Sequence, residues 1–185
     1  IIASLDVARR QMELEGYELV MRAIETSLAI RRAVAEHPII SKYFKVLGAD
    51  SMVPAEFRPS GFKDFLTPGA TWVTVLKAMQ EDEFFLDPTR MTLVCGTAGM
   101  DGNTFKGLLS SKYNIQVNKT SRNSVLVQSN INNTRSDVAL LIKVLLEISQ
   151  QIDADLAEGG ESARAALAKR VKNLMEDVPD LPNFS

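Results

Sequence analysis

Met91-Thr92-Leu93-Val94-Cys95 runs straight into Gly96-Thr97-Ala98-Gly99-Met100-Asp101-Gly102, and the reading of this junction decides the fold. A short apolar and β-branched run fits a buried strand, and the closely spaced glycines that follow mark a turn. Asn103 to Tyr113 then reads as a helix with Phe105, Leu108 and Leu109 on one side. Ile115 and Val117 alternate with Gln116 and Asn118, which predicts a half-buried strand. Ser124 to Ile131 is a second strand, and the turn formers of Thr120 to Asn123 join the two as an antiparallel hairpin. Arg135 to Ile152 is a helix with Val138, Leu141, Ile142, Leu145, Ile148 and Ile152 in one stripe. Asn133 or Thr134 caps it, and Asp137 sits favourably near its N-terminus. The order strand, helix, strand, strand, helix fits a small sheet with helices on one face, an α+β arrangement close to α/β.

Upstream, residues 4 to 36 read as helix, expected as two, with Ser4 capping the first and Gly16 ending or kinking it. The second carries Val20, Ile24 and Leu28 in one stripe, widened by Ala23, Val34 and Ala35, with Arg22, Glu25, Arg31, Arg32 and Glu36 off that face. His37-Pro38 closes it. Pro38, Pro54, Pro59 and Pro68 break up the next stretch, yet Phe44, Val46, Phe57, Phe62 and Phe65 supply apolar anchors. An ordered connection with a short strand near Tyr43 to Leu47 is expected there. Residues 72 to 80 fit a short helix or a strand equally well. Gly159-Gly160 ends the compact part, an amphipathic helix follows over about Ser162 to Glu176, and the tail from Val178 to Pro182 is extended.

The block Asp82-Glu83-Phe84-Phe85-Leu86-Asp87-Pro88-Thr89-Arg90-Met91-Thr92-Leu93 resembles the start of the small C-terminal domain of the bacterial ornithine/lysine/arginine decarboxylases. Tyr113-Asn114-Ile115-Gln116-Val117-Asn118-Lys119-Thr120 is similar to that family's strand ending in a polar residue, Lys and Thr. Ile1-Ile2-Ala3-Ser4-Leu5-Asp6 is similar to the stretch just after the catalytic core of the large domain. The likeness is loose over residues 38 to 80 and tight over 82 to 146. It implies an aspartate-aminotransferase type of fold. Residues 1–80 would be the end of the large-domain region and the inter-domain connection, 81–158 the small C-terminal α+β domain, and 159–185 a terminal helix and tail.

The resemblance also implies chemistry. Such an enzyme converts arginine, lysine or ornithine to the amine and CO2 on pyridoxal phosphate, whose imine is the electron sink for the carbanion. The family's Schiff-base lysine follows a histidine, and an aspartate pairs with the pyridine nitrogen, both on the large domain. Here the one histidine, His37, is followed by Pro38. The chain, which does not begin with Met, therefore reads as entered in mid-fold and short of a C-terminal extension. It is expected to be inactive alone and to bind no cofactor. The implied partners are the pyridoxal-phosphate-binding large domain of its own parent chain and further copies in a homo-oligomer.

No catalytic, cofactor-binding or metal residue is assigned. Substrate-pocket candidates are Asn118, Lys119 and Arg90. Asn118 stands where lysine-specific members carry an acid facing the distal amine; an amide still accepts a hydrogen bond but brings no opposite charge. It reads as well as a turn residue. Arg90 could orient a carboxylate, or simply pair with a neighbour at a strand start; Lys119 could be a solvated hairpin lysine. Gly96, Gly99 and Gly102 could cradle a phosphate, but the spacing matches no phosphate-loop fingerprint. Cys95 reads as an inert buried thiol, and His37 as a charge against a helix dipole. Trp72 and the phenylalanines from 57 to 85 read as packing anchors or an interface with the large domain.

The bulk numbers narrow the alternatives. The 185 residues carry a net charge of -2, which offers nothing to nucleic acid or an anionic membrane. No apolar run is long enough to span a bilayer. A single cysteine without a secretion signal fits a reducing cytoplasm. A stand-alone α+β ligand-binding module or an oligomerisation piece are the other readings, and the helices of residues 4 to 36 are expected to expose apolar surface.

Overall fold

A computed structural model describes residues 1–176; the stretch from Val178 to Pro182 read as an extended tail lies outside the described residues. Its first element, α1 (Ile2–Glu36), is one helix of 35 residues rather than two. Gly16 does not break it, because a helical glycine costs only about 1 kcal/mol relative to alanine. Ser4 lies inside the first turn, its hydroxyl donating to the Ile1 carbonyl at 2.7 Å, and does not cap.

The buried face of α1 differs from the apolar stripe expected. Gly16, Leu19, Ala23, Ser27, Ile30 and Val34 are buried, whereas Val20 is 41% exposed and Ile24 and Leu28 are half-buried. Ser27 disguises this face in the sequence, and it is tolerated because its hydroxyl donates to the Ile24 carbonyl at 2.7 Å. Steps of four, three and four residues extend the face backward through Met12, Ala8, Leu5 and Ile1. Such a repeat of about 11 residues stays almost in phase with a straight helix. Over residues 1–12 that continuation is exposed, with Ile1, Leu5 and Met12 at 101%, 65% and 43%.

The chain divides into two compact units, each gathered from three stretches. The first comprises Ile1–Ala33, Gly48–Met91 and Gln128–Leu140. It contains α2 (Ala49–Met52) and α3 (Trp72–Glu81). The stretch whose conformation periodicity left open is the helix α3, started by a capping box in which Thr71 and Thr74 exchange hydrogen bonds. Its inner face, Val75 and Ala78, packs with Ala49 and Phe62, flanked by Phe65, Phe85 and Leu86. The rings of Phe62 and Phe65 stand edge to face at 5.1 Å, and Phe65 and Phe85 at 6.1 Å. These rings and the Ser60–Asp82 contacts at 2.8 and 2.9 Å order a proline-broken connection. Trp72 and Phe84 are not anchors of this core: they are 49% and 53% exposed.

The second unit comprises Val34–Leu47, Thr92–Val127 and the residues from Leu141 onward. The strands β1 (Lys45–Val46), β2 (Arg90–Val94), β3 (Lys119–Thr120) and β4 (Ser124–Gln128) form a sheet in the order β1-β2-β4-β3. Lys45 pairs with Val94 across an antiparallel β1/β2 contact, and Lys119 with Leu126 across the antiparallel hairpin. The helices are α4 (Gly102–Tyr113) and α5 (Arg135–Met175). Phe44, Leu93, Phe105, Leu109, Val125, Val144 and Leu145 are at most 2% exposed and form the core. The fold is thus α+β, with a long N-terminal helix leading to a small sheet flanked by helices.

Two sequence expectations shift here. Ile115 and Val117 are not in a strand, because α4 ends with Asn114 in the left-handed region at φ 55 and Ile115 N–H returning to the Leu109 carbonyl at 2.9 Å. Closing the helix in this way consumes the next residues, so ladder bonding starts at Asn118. At the other end, α5 is capped by Thr134, which exchanges bonds with Asp137. It runs past Ile152 and breaks at Gly160 (φ 57, ψ -140). The second arm then folds back: a side chain at Gly99 would meet Leu167 Cδ1 at 2.7 Å, and one at Gly96 would meet Met175 Sδ at 2.6 Å.

Two expected outcomes follow from this packing. A β-carbon at Gly102 would lie 2.1 Å from the Ser121 carbonyl oxygen, while nothing lies within 4 Å of one at Gly107. Gly102→Ala should lose about 2 kcal/mol or more of stability, and Gly107→Ala, in the same helix, should gain about 1 kcal/mol; urea denaturation compares them. Cys95 is fully buried, and desolvation pushes its thiol from 9.0 up to about 12. The unfolded chain releases this proton first, so Cys95 should contribute a loss of stability as pH rises from about 9 to about 12, absent in Cys95→Ala. Midpoints of unfolding across that window test it.

Candidate functional site

The β3/β4 hairpin carries two of the residues singled out as substrate-pocket candidates. Asn118 immediately precedes β3, and its backbone N–H donates to the Leu126 carbonyl at 3.0 Å. Lys119 follows in register opposite Leu126. Both are exposed. Their placement follows from local chemistry. The Ser121 N–H donates to the Ser124 carbonyl at 2.8 Å, and the two serine hydroxyls lie 2.7 Å apart, which closes the turn. Thr120 Oγ1 donates to the Asn103 side-chain oxygen at 2.8 Å, tying the strand to the first turn of α4.

Arg90, the third candidate, opens β2 and is counted with the first unit. Its side chain is 59% exposed, and its Nε stands 3.7 Å from Asp87 Oδ2. Its carbonyl accepts from Arg31 Nη2 at 3.2 Å. Arg31 is the residue that periodicity misplaced. Periodicity puts it mostly off the apolar face, yet it is 2% exposed, its guanidinium 5.4 Å from the Phe65 ring centroid. Burial lowers its pKa, opposed by the charges of Asp64 and Asp87. A guanidinium keeps its charge through such a shift, so Arg31 is a buried cation held by a ring, a carbonyl and two acids. An arginine flanked by apolar residues at helical spacing is the only sequence trace of it.

The glycine loop is not an anion cradle. The N-terminus of α4 is filled by Asp101, whose carboxylate accepts from the Asn103 and Thr104 N–H groups at 2.9 and 3.0 Å and from Thr104 Oγ1 at 2.5 Å. Those bonds hold its pKa below the ordinary range. The donors an incoming phosphate would need are already used by a carboxylate. The glycines instead permit close backbone approach, Gly102 to Ser121 and Ser124.

His37 is also redefined. Its Nδ1 accepts from the Ile39 and Ile40 N–H groups at 3.2 and 3.4 Å. It caps the turn after α1 as an acceptor of those two N–H groups.

The residues described do not form a site for pyridoxal phosphate. Desolvation is one way a Schiff-base lysine is made to react as an amine, and every lysine here is exposed or, at Lys106, half-buried. Among the described residues no aspartate is buried to pair with a pyridine nitrogen; Asp82, Asp101 and Asp153 each already bind neighbouring donors. Among the described residues no group of three His, Cys, Asp or Glu side chains could hold a metal ion, and no helix is long and apolar enough to cross a membrane.

Comparison with known proteins supports the family that the motifs resemble, but not their expected place in a small C-terminal domain: the matching model is that of the major domain, and residues 82–93 and 113–120 lie inside the match. No curated protein and no solved structure matches the chain. The family model described as Orn/Lys/Arg decarboxylase, major domain, matches residues 1–137. That span takes in α1, the aromatic connection, the glycine loop and the whole hairpin, so the chain belongs to the Orn/Lys/Arg decarboxylase family.

Proposed function

We propose that this chain is the C-terminal part of a pyridoxal-phosphate-dependent decarboxylase of basic amino acids, and that it shapes the substrate side of a site whose cofactor sits elsewhere in the parent protein. The family match over residues 1–137 supports the decarboxylase part of this reading, and the place of the chain in its parent rests on the motifs quoted from the sequence. The lack of a desolvated lysine supports placing the cofactor on another part of the parent. When bound, pyridoxal phosphate supplies the electron sink for decarboxylation.

In this reading the hairpin presents Asn118 to the distal cation of arginine, lysine or ornithine. The amide oxygen accepts a hydrogen bond without adding charge. Arg90 is then a positioning residue, its Asp87 contact and the Arg31 bond to its carbonyl setting the start of β2. The cofactor-bearing part covers the exposed continuation of the α1 face, Ile1, Leu5, Ala8 and Met12. A homo-oligomer in the cytoplasm completes the picture.

With added pyridoxal phosphate, this chain should show no imine absorbance and release no CO2 from arginine, lysine or ornithine. Either signal from the purified chain overturns the division of labour. In a full-length protein containing this segment, Asn118→Asp should raise kcat/KM for lysine or ornithine by about tenfold, the scale of a charge-assisted hydrogen bond. Unchanged kinetics in both Asn118→Asp and Asn118→Ala would remove Asn118 from the pocket. For the isolated chain, Leu5→Glu with Met12→Glu should at least halve the fluorescence of a bound hydrophobic dye while leaving the thermal midpoint in place.

A further inference from the structure

A cavity of about 430 Å³ lies within the second unit, bounded by α4, both arms of α5 and the loop at Ala98–Met100. It is independent of the hairpin and of the decarboxylase reading. Met100, Leu108, Ile148 and Ile152 make its wall apolar. Lys112, Tyr113 and Glu147 form a set at one end: Glu147 Oε1 accepts from Lys112 Nζ at 3.0 Å and from Tyr113 Oη at 2.8 Å. The Tyr113 hydroxyl, then Lys112, hold the Glu147 carboxyl below its ordinary range. This set is internally neutralised and has no charge to spare for a ligand.

Arg170, on the second arm of α5, is different. It lines this cavity and also the adjoining one of about 140 Å³, together with Ile152, Asp155 and Leu156. It therefore sits toward the Ile152 end, and Glu147 and Ile152 are about 7 Å apart along the α5 axis. Asp155 is engaged by Gln151 at 2.7 Å. Among the described residues no carboxylate lies within ion-pair distance of Arg170. A side chain at Gly99 would come within 3.3 Å of Arg170 Nε and 2.7 Å of Leu167 Cδ1. The loop glycine thus leaves room for the guanidinium at the rim.

We propose that this cavity is a binding site for a small carboxylate with an apolar body, the carboxylate on Arg170 and the hydrocarbon along Ile152, Ile148 and Leu108. A planar guanidinium takes a carboxylate through two parallel bonds. A chain of about six carbons covers the apolar wall before it meets the Glu147 end. An amine of the same length in the same orientation would place its cation against Arg170 and be repelled. Inorganic phosphate would meet the guanidinium but leave the wall wet.

Hexanoate, hexylamine and inorganic phosphate at equal ionic strength distinguish these. Hexanoate at saturating concentration should raise the thermal midpoint of the chain by about 2–4 °C through linkage and shift the methyl resonances of Leu108, Ile148 and Ile152. Arg170→Gln should remove both effects, and Arg170→Lys should weaken them. Arg170 is exposed, so neither substitution disturbs the core. Absence of a midpoint shift, unmoved methyl resonances, an equal response to hexylamine or to phosphate, or an effect that persists in Arg170→Gln would overturn the site.

Discussion

The Asn123 carbonyl oxygen accepts two hydrogen bonds, from the Cys95 and Gly96 N–H groups, both at 2.9 Å. A few residues on, the Gly102 N–H donates to the Arg122 carbonyl, with Ser121 and Ser124 so close that only a hydrogen fits on Gly102. These contacts press the end of β2 and the start of α4 against the hairpin turn. Much of the second unit depends on them. They set where the ladder of β4 begins, where α4 starts, and where the returning arm of α5 finds a surface at Gly96 and Gly99. A buried backbone polar group without a partner costs as much as a lost hydrogen bond. The glycines are therefore requirements of close approach, and the first N–H groups of α4 are taken by Asp101 and not left for a phosphate.

The same accounting explains the polar residues on the buried face of α1. Ser27 returns its hydroxyl to its own helix, and Ser129 donates to the Ala23 carbonyl at 2.9 Å. Arg31 lies over a phenylalanine ring and donates to the Arg90 carbonyl. A buried guanidinium left unpaired would cost several kcal/mol, so aromatic packing around residues 62–85 and the charge of Arg31 are parts of one arrangement. Its neighbours Asp64 and Asp87 lie in the stretch between α1 and β2 that the prolines break up.

For the proposed role, this division matters more than any single side chain. Decarboxylation needs an electron sink, and a cofactor held as an imine requires a reactive amine. Many of the polar groups among the described residues serve caps, turns and the buried Arg31. The hairpin, exposed and pinned to α4 through Thr120 and Asn103, is a rigid ledge suited to contacting a substrate end remote from the reacting carbon.

Much of this was legible from residue order. The β2–glycine–α4 junction, the hairpin, the stripe of α5 and the break at Gly160 follow from short-range rules, because strand alternation, turn chemistry and helical periodicity act within a few residues. The family motifs lie in that same region. Three things needed the tertiary structure. Which face of α1 is buried was decided by partners that lie far away in sequence, Ser129 at the Ala23 carbonyl and the Arg90 carbonyl at Arg31. Whether residues 72–81 are helix was settled by the Thr71 cap and by the phenylalanines they pack on. The cavity beside Arg170 exists only because α5 turns back at Gly160 and lays its second arm on the glycine loop. Sequence determines what each segment prefers. Burial and hydrogen-bond partners, supplied by residues distant along the chain, decide among preferences that differ by about 1 kcal/mol.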